Sequence, residues 1–196
     1  MYKRKSKIMD DGAIDRALAR IAHEIIERNP QCDSLLLVGI KRRGVPLAQL
    51  IAQNIRRFSS IQTELAEISI TLYRDDIDRD IERVKFDLPQ QFDVKNKTII
   101  LVDDVLHTGR SVRAAIDALM SMGRPASIQL AVLVDRGHRE MPIRGDYVGK
   151  NIPTARKERV AVRLPDYDNT EEKEVLLLEF VPDHIEAKTT KKACEK

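Results

Sequence analysis

Apolar and polar residues alternate along this chain in a way that predicts helices between buried strands. Three short, largely apolar runs, at residues 34–40, 99–102 and 127–134, have the length of strands covered on both faces. Between them, apolar residues recur every three or four positions, the spacing of helices with one buried side. A further short extended piece is predicted at residues 147–153. This order predicts an α/β fold with a mainly parallel central sheet flanked by helices.

The helical spacing predicts three main helices. The first is capped by Asp10 or Asp11, whose carboxylates can accept hydrogen bonds from a helix start, and it ends before Pro30. The second covers residues 45–57, and the third begins after Ser111.

Strict alternation of apolar and polar residues predicts further strands. Residues 68–72 and 84–88 are predicted as two strands joined by a charged arm at 73–84. The arm is either a lid over a neighbouring site or a solvated hairpin, and the sequence leaves both open. Residues 160–164 and 175–179 alternate in the same way and predict a terminal hairpin.

Length and composition limit the class of protein. The chain has 196 residues, 42% of them hydrophobic, which suits a single domain over residues 1–196 with a disordered polar tail at 186–196. No apolar run approaches the ~20 residues of a membrane helix, and the charged N-terminus lacks the apolar region of a secretory signal. Cys32 and Cys194 have no metal-ligand spacing and suggest no disulfide framework. We therefore expect a cytoplasmic protein without a membrane segment.

The most informative stretch is residues 98–111, TIILVDDVLHTGRS. Its apolar run is followed by Asp103 and Asp104 and then by a small polar loop at 108–111, before a helix. The N–H groups of a helix start suit a phosphate, and nearby carboxylates can accept hydrogen bonds from sugar hydroxyls or act through Mg²⁺. The stretch favours a phosphorylated ribose as ligand. The alternative is a strand, an acidic turn and a capped helix with no ligand.

A second anion site is predicted after the first buried strand. Lys41, Arg42 and Arg43 follow one another between Gly39 and Gly44. Three like charges in a row are costly unless water or an anion surrounds them, and glycine permits close approach of a ligand. If the first site takes a 5′-phosphate, diphosphate is the natural ligand of this loop.

Residues 98–111 resemble the 5-phosphoribosyl diphosphate (PRPP) signature of type I phosphoribosyltransferases. Other segments resemble the PyrR family, whose members attenuate the pyrimidine operon and are also uracil phosphoribosyltransferases. These segments are ALARIAHEIIERN at 17–29, VGIKRRG at 38–44, ITLYRDD at 70–76, and the run at 127–154. The resemblance covers residues 11–154. It implies the type I phosphoribosyltransferase fold with a small hood and a flexible lid hairpin, and a homo-oligomer of two or more subunits.

The resemblance implies the reaction uracil + PRPP ⇌ UMP + diphosphate, with Mg²⁺ brought by PRPP, and UMP-dependent binding to the pyr mRNA leader. No side chain is assigned as a metal ligand.

The catalytic residues would be Asp103, Asp104 and Arg43. The PRPP motif would comprise Val105, Leu106, His107, Thr108, Gly109, Arg110 and Ser111. The diphosphate loop would be Lys41, Arg42, Arg43 and Gly44, and the lid Tyr73, Arg74, Asp75 and Asp76. Uracil would lie against Val134, Asp135 and Arg136. Leader RNA would contact Arg20, His23, Arg28, Arg139, Arg144 and Lys150.

The chain departs from the family pattern at four positions. His107 and Ser111 stand where Tyr and Thr are usual, and Arg42 stands where Thr is usual. Ala19 stands where Thr is often found, so the helix assigned to RNA loses a hydroxyl. The last change bears on RNA binding and not on catalysis.

Three interpretations of function stay open at this point. The chain is a bifunctional enzyme and RNA regulator, an enzyme without RNA control, or an RNA-binding nucleotide sensor with negligible turnover. The segment 136–163 carries eight basic and three acidic residues, a local excess of +5 against +3 for the whole chain. Such an excess is expected of an RNA-binding face, and it also suits phosphate sites. The PyrR-like segments disfavour a purine phosphoribosyltransferase.

Overall fold

Two β-sheets and three helices make up the fold in the computed structural model, which describes residues 1–70, 92–165 and 167–182. The helices are α1 (Asp11–Arg28), α2 (Gly44–Phe58) and α3 (Arg110–Met122). The strands are β1 (Tyr2–Met9), β2 (Ser34–Ile40), β3 (Gln62–Ile68), β4 (Thr98–Leu106), β5 (Ser127–Asp135), β6 (Tyr147–Asn151), β7 (Glu158–Arg163) and β8 (Glu174–Phe180).

The central sheet has five parallel strands in the order β3-β2-β4-β5-β6. Successive residues of a strand point to opposite faces, so the side chains of each inner strand pack in two hydrophobic cores, one on each face of the sheet. On one face Leu37 and Ile100 pack in the cluster that contains the apolar sides of α1 and α2. On the other face Val38 and Leu101 pack with α3. This arrangement confirms the predicted α/β fold with helices on both faces.

The second sheet is antiparallel, with β8 between β1 and β7, and we call it the hood sheet. The β7–β8 hairpin confirms the predicted terminal hairpin. Strand β1 was not predicted, because its sequence YKRKSKIM is mostly polar and exposed. Pairing with a strand far along the chain, from Tyr2 opposite Phe180 to Met9 opposite Val175, creates it.

Two predicted strands change their bounds. The strand predicted at 68–72 overlaps β3 only at Ile68, where β3 ends together with its pairing to Ile40 of β2. Residues 69–70 lie outside the strand, and residues 71–72 lie outside the described part of the chain. As an edge strand β3 exposes residues such as Leu65, so its apolar alternation is weak. The extended piece predicted at 147–153 is β6, a full member of the central sheet.

Some predictions fall on residues that the structure does not describe. These are the strand at 84–88, the lid residues Tyr73, Arg74, Asp75 and Asp76, and the tail 186–196. They stay predictions.

The ends of α1 and α2 follow the sequence signals closely, whereas α3 begins at Arg110, two residues before the start predicted after Ser111. Asp10 caps α1, its Oδ1 accepting the Ala13 N–H at 2.7 Å, and α1 ends one residue before Asn29. Helix α2 begins at Gly44 and ends at Phe58, one residue beyond the predicted range at each end. Among the helices of the described residues, none is long and apolar enough to cross a lipid bilayer.

Candidate active site

Strand β4 carries the predicted ribose-binding carboxylates. The sequence predicted that this strand ends after its apolar run. In the structure it continues through Asp103 and Asp104 to Leu106. Parallel pairing with β5 extends it, with Asp103 opposite Val132 and Leu106 opposite Asp135. As a result Asp103 is buried, at 8% exposure, and Asp104 is partly buried.

The two carboxylates perturb each other. Burial raises the pKa of Asp103 well above its ordinary value, and the neighbouring Asp104 charge raises it further. Burial also raises the pKa of Asp104, while the Arg43 guanidinium acts in the opposite direction. The Asp103 carboxylate accepts the Asp104 N–H at 2.9 Å, which fixes its orientation. The strand end therefore holds two costly acidic groups with one nearby cation.

The loop after β4 forms a cradle at the start of α3. Gly109 adopts a left-handed conformation, with φ of 90°, and precedes the first helical residue, Arg110. The Arg110 N–H donates to Thr108 Oγ1 at 3.3 Å. A cavity of about 330 Å³ opens here, lined by Asp103, residues 105–112 and Glu140. The structure thus brings Asp103 and the whole predicted PRPP motif around one cavity.

Glu140 belongs to this cavity although no sequence signal marked it. Its carboxylate pairs with Arg110 at 2.9 Å, and its N–H donates to the Thr108 carbonyl at 3.0 Å. Thirty residues separate Glu140 from Arg110 along the chain, so only the fold brings them together.

The predicted diphosphate loop connects β2 to α2 beside the carboxylates. A Cβ at Gly44 would lie 2.3 Å from the Val102 carbonyl oxygen, and one at Gly39 would lie 2.5 Å from Val45 Cα. Both distances are far inside van der Waals contact. The two glycines therefore allow the protein's own backbones to pack, which places the loop directly against β4.

The three cations of this loop have different surroundings. Lys41 pairs with Glu67 of β3 at 2.8 Å. Arg43 forms a two-pronged ion pair with Asp168, with Nη2 donating at 2.6 Å and Nε at 3.1 Å. Arg42 is exposed and has no ion-pair partner within residues 1–70, 92–165 and 167–182. Asp168 was not predicted, because 125 residues separate it from Arg43.

The predicted uracil site lies at the end of β5. Val134, Asp135 and Arg136 are all buried. The Arg136 guanidinium donates to the Glu158 carbonyl at 2.8 Å, and the Asp135 carboxylate accepts from Gly137 N–H at 2.9 Å and from Arg139. These contacts tie the strand end to the loops around it.

His107 lies at the edge of this region. Its ring meets that of His138 edge-on, with 6.1 Å between centroids. Partial burial lowers the pKa of His107, and the Arg136 charge lowers it further. A neutral imidazole therefore forms part of the cavity wall at neutral pH.

The predicted RNA-binding residues divide into two groups. Arg20, His23 and Arg28 lie on α1, which packs against β6. Lys150 lies on β6, and Arg144 lies in the segment that leads into this strand. We call these five residues together the α1–β6 face. Arg139 is separate, since it pairs with Asp135 at the end of β5.

Contacts within the α1–β6 face hold part of it in place. Arg20 donates to the carbonyls of Val148 and Gly149 at 2.9 and 2.7 Å, and Arg28 pairs with Asp146 at 2.7 Å. The His23 ring stacks on Phe58 with 4.3 Å between centroids.

Comparison with known protein sequences shows the family of this chain. Residues 5–168 match the phosphoribosyl transferase domain family. The protein named "Bifunctional protein PyrR" in Clostridioides difficile is 54% identical over 165 residues, which are 84% of this chain and 93% of that protein. The protein of the same name in Listeria monocytogenes is 55% identical over 169 residues, with 84% and 92% covered.

Solved structures with the same fold are more distant in sequence. The hypoxanthine phosphoribosyltransferase of Trypanosoma cruzi superposes with a TM-score of 0.68 at 18% identity, covering 90% of this chain and 97% of that chain. The Staphylococcus aureus hypoxanthine phosphoribosyltransferase gives 0.62 at 20% identity, covering 76% and 78%. At this identity they establish the fold alone. The sequence matches go further: the chain belongs to the phosphoribosyl transferase family and, within it, to the PyrR family.

Proposed function

We propose that this chain transfers the phosphoribosyl group of PRPP to uracil and regulates pyrimidine genes by binding a pyr mRNA leader. One observation carries the enzymatic half. A single cavity joins the buried Asp103 to the 108–111 cradle, and the cationic loop 41–44 packs against the same strand. Membership of the PyrR family supports the regulatory half.

Each part of PRPP has a complementary partner in this arrangement. The 5′-phosphate lies in the cradle 108–111, where the first N–H groups of α3 and the positive end of its dipole favour an anion. Asp103 and Asp104 accept hydrogen bonds from the ribose hydroxyls. The diphosphate lies against the loop 41–44, whose cations stabilise its negative charge.

Transfer breaks the bond between C1′ and the diphosphate oxygen and forms a bond between C1′ and uracil N1, whose proton is released. Positive charge develops on the ribose while negative charge moves to the leaving group. The paired carboxylates lie on the ribose side, and Arg43 lies on the diphosphate side. The two sets of fixed charges oppose the two developing charges, which lowers the barrier without a covalent intermediate. Holding the 5′-phosphate and the hydroxyls also orients C1′ towards the base.

The residues of the site also suit Mg²⁺, which we propose enters with PRPP. Two adjacent carboxylates with raised pKa values are oxygen donors that a cation would stabilise in their ionised form. Across the described residues, no group of three or more His, Cys, Asp or Glu side chains is arranged to hold a metal. Asp103 and Asp104 would therefore hold Mg²⁺ jointly with the substrate. When bound, the ion neutralises charge on the diphosphate.

Uracil lies near the end of β5, beside Val134, Asp135 and Arg136. The named PyrR relatives support a pyrimidine, while the solved hypoxanthine transferases share only the fold. The α1–β6 face receives the leader RNA, and Arg144 and Lys150 are among its exposed cations. We further propose that the protein acts in the cytoplasm as a homo-oligomer, and that residues 1–196 form one domain.

Two assays on one preparation test the proposal. The protein with PRPP and Mg²⁺ is expected to form UMP from uracil, and no nucleotide from hypoxanthine or guanine. A mobility-shift assay is expected to show tighter binding to a pyr leader than to an unrelated hairpin, and tighter binding with UMP than without. Turnover without leader preference would leave an enzyme alone. Leader binding without turnover would leave a nucleotide sensor.

A further inference from the structure

Among the described residues, Arg43 is the residue of the diphosphate loop that forms an ion pair with the segment joining two strands of the hood sheet. Its partner Asp168 lies in the connection between β7 and β8. The charge of Asp104, two residues before the end of β4, also stabilises the positive charge of Arg43. Arg43 therefore stands where the hood sheet, the loop and the ribose-binding strand meet.

The ion pair uses only part of the guanidinium. Asp168 accepts from Nε and from Nη2, the geometry of a two-pronged carboxylate–arginine pair. A guanidinium carries five N–H donors, so both donors of Nη1 and one of Nη2 are left for another acceptor. The ion pair fixes the plane of the group without consuming its capacity to bind an anion.

Asp168 is itself held in place. Its Oδ2 accepts the Leu164 N–H at 3.0 Å, and its own N–H donates to the Leu164 carbonyl at 2.8 Å. The Arg43 guanidinium lowers the pKa of Asp168, so the carboxylate is ionised at neutral pH. The Asp168 side chain is 18% exposed and the Arg43 side chain is 38% exposed, so the carboxylate is partly shielded from water while the guanidinium stays accessible to an anion. The carboxylate is a fixed anchor for a long side chain that would otherwise sample many rotamers.

We infer that Asp168 is a positioning residue that holds the Arg43 guanidinium in place to receive the diphosphate of PRPP. The inference rests on the proposed function, which assigns diphosphate to the loop 41–44. An anchored guanidinium loses less conformational freedom when the anion arrives than a free one does. The opposite role is competition, in which Asp168 occupies Arg43 and must be displaced. The two roles predict opposite signs: removing an anchor weakens diphosphate binding, and removing a competitor strengthens it.

The test variant is Asp168→Asn, which keeps an oxygen for the Leu164 N–H and removes the charge. Calorimetry is expected to show roughly tenfold weaker binding of diphosphate and of PRPP. Binding of UMP, which has no diphosphate, is expected to stay unchanged. A loss of structure in the hood sheet would not produce this selectivity. The matched control is Glu174→Gln, the same chemical change in the β7–β8 hairpin at a carboxylate that pairs with Lys7 and Arg163. It is expected to leave all three affinities unchanged.

A double-mutant cycle with Arg43→Lys ties the effect to the ion pair. Lysine keeps the charge but lacks the fork, so Asp168→Asn is expected to add little in that background. If Asp168→Asn does not fold, Asp168→Glu retains the charge at a shifted position, and diphosphate binding is expected to fall between wild type and Arg43→Lys.

The outcomes separate the inference from the proposed function. The positioning role is overturned if folded Asp168→Asn binds diphosphate as tightly as wild type or more tightly. It is also overturned if the variant weakens UMP binding as much as diphosphate binding. If Arg43→Ala also leaves diphosphate binding unchanged, the assignment of diphosphate to this loop fails. If Arg43→Ala weakens it and Asp168→Asn does not, only the inference on Asp168 is lost.

Discussion

The carboxyl end of the central sheet and the α1–β6 face both present charged side chains, yet they are built differently. At the carboxyl end the charged side chains lie at a cavity and are partly buried, and burial raises the pKa values of Asp103 and Asp104. On the α1–β6 face the cations are exposed, as Arg28 and Lys150 illustrate.

The difference shows what each region can do. Fixed charges that are shielded from water act strongly on a bond that breaks beside them. Exposed cations act weakly one by one, but together they attract a long polyanion and release its counterions. The first region suits catalysis and the second suits recognition, so each should be removable without the other.

The double variant Asp103→Asn, Asp104→Asn is expected to give the largest effect, a loss of catalysis without a loss of RNA binding. Loss of both carboxylates removes the charge that opposes the developing positive charge on the ribose. We expect kcat/KM for UMP formation to fall by ~10²-fold or more, measured at subsaturating PRPP. Leader RNA binding without UMP should be unchanged in the same preparation. A double variant with near wild-type turnover would refute the assignment of these carboxylates to the ribose.

The second largest effect is expected at Gly44, where a single added methyl group should disrupt the packing of the diphosphate loop at the carboxyl end of the sheet. The added Cβ would collide with the Val102 carbonyl oxygen, so Gly44→Ala should lower the free energy of unfolding by about 2 kcal/mol. Urea unfolding measures it.

The matched control for this variant is Gly12→Ala. Gly12 is the second residue of α1, and an added Cβ there would lie 3.2 Å from the end of the flexible Arg16 side chain. Alanine favours the helix, so this variant should be as stable as wild type or more so. Equal destabilisation by both changes would mean that the close packing of the loop against β4 is not what Gly44 provides.

The double variant Arg144→Ala, Lys150→Ala is expected to do the opposite, weakening RNA binding without a loss of catalysis. Both side chains are exposed and neither lines the cavity, so removing them should reduce leader affinity by about tenfold at physiological salt. Uracil turnover should persist. The dependence of log affinity on log salt should flatten as well, because fewer counterions are released. The comparison breaks if this variant loses turnover together with RNA affinity.

The smallest effect concerns the stability cost of the catalytic carboxylate. The pKa of Asp103 is raised in the folded chain, so between the ordinary carboxyl value of about 4 and that raised value the folded state holds a proton that the unfolded state has lost. Wild-type stability should therefore fall as pH rises through this window. Asp103→Asn should show a smaller fall, because only the raised pKa of Asp104 remains, and it should be more stable at neutral pH, although less active. Urea midpoints over a pH series measure the difference. A steeper fall in the variant would contradict the burial of a charged Asp103.

The sequence alone determined the parts of the site that are local. The apolar run of β4, its two carboxylates and the small loop before α3 lie within residues 98–111, so their order along the chain is their order in space. The cap of α1 and the apolar stripes of α1 and α2 are local for the same reason, and the bounds of both helices were predicted within about a residue. PyrR-like segments carried the family assignment because whole motifs matched.

Tertiary structure decided what depends on distant pairing. Strand β1 exists because β8 lies beside it, and β4 extends past Val102 because β5 continues its ladder. Gly39 and Gly44 predicted a ligand's approach, but the structure shows protein backbone against them. The partner of Arg43 is Asp168, and no periodicity or spacing connects two residues 125 positions apart. Patterns along a chain report which faces are buried, whereas the identity of the group across a contact is fixed only when the chain folds.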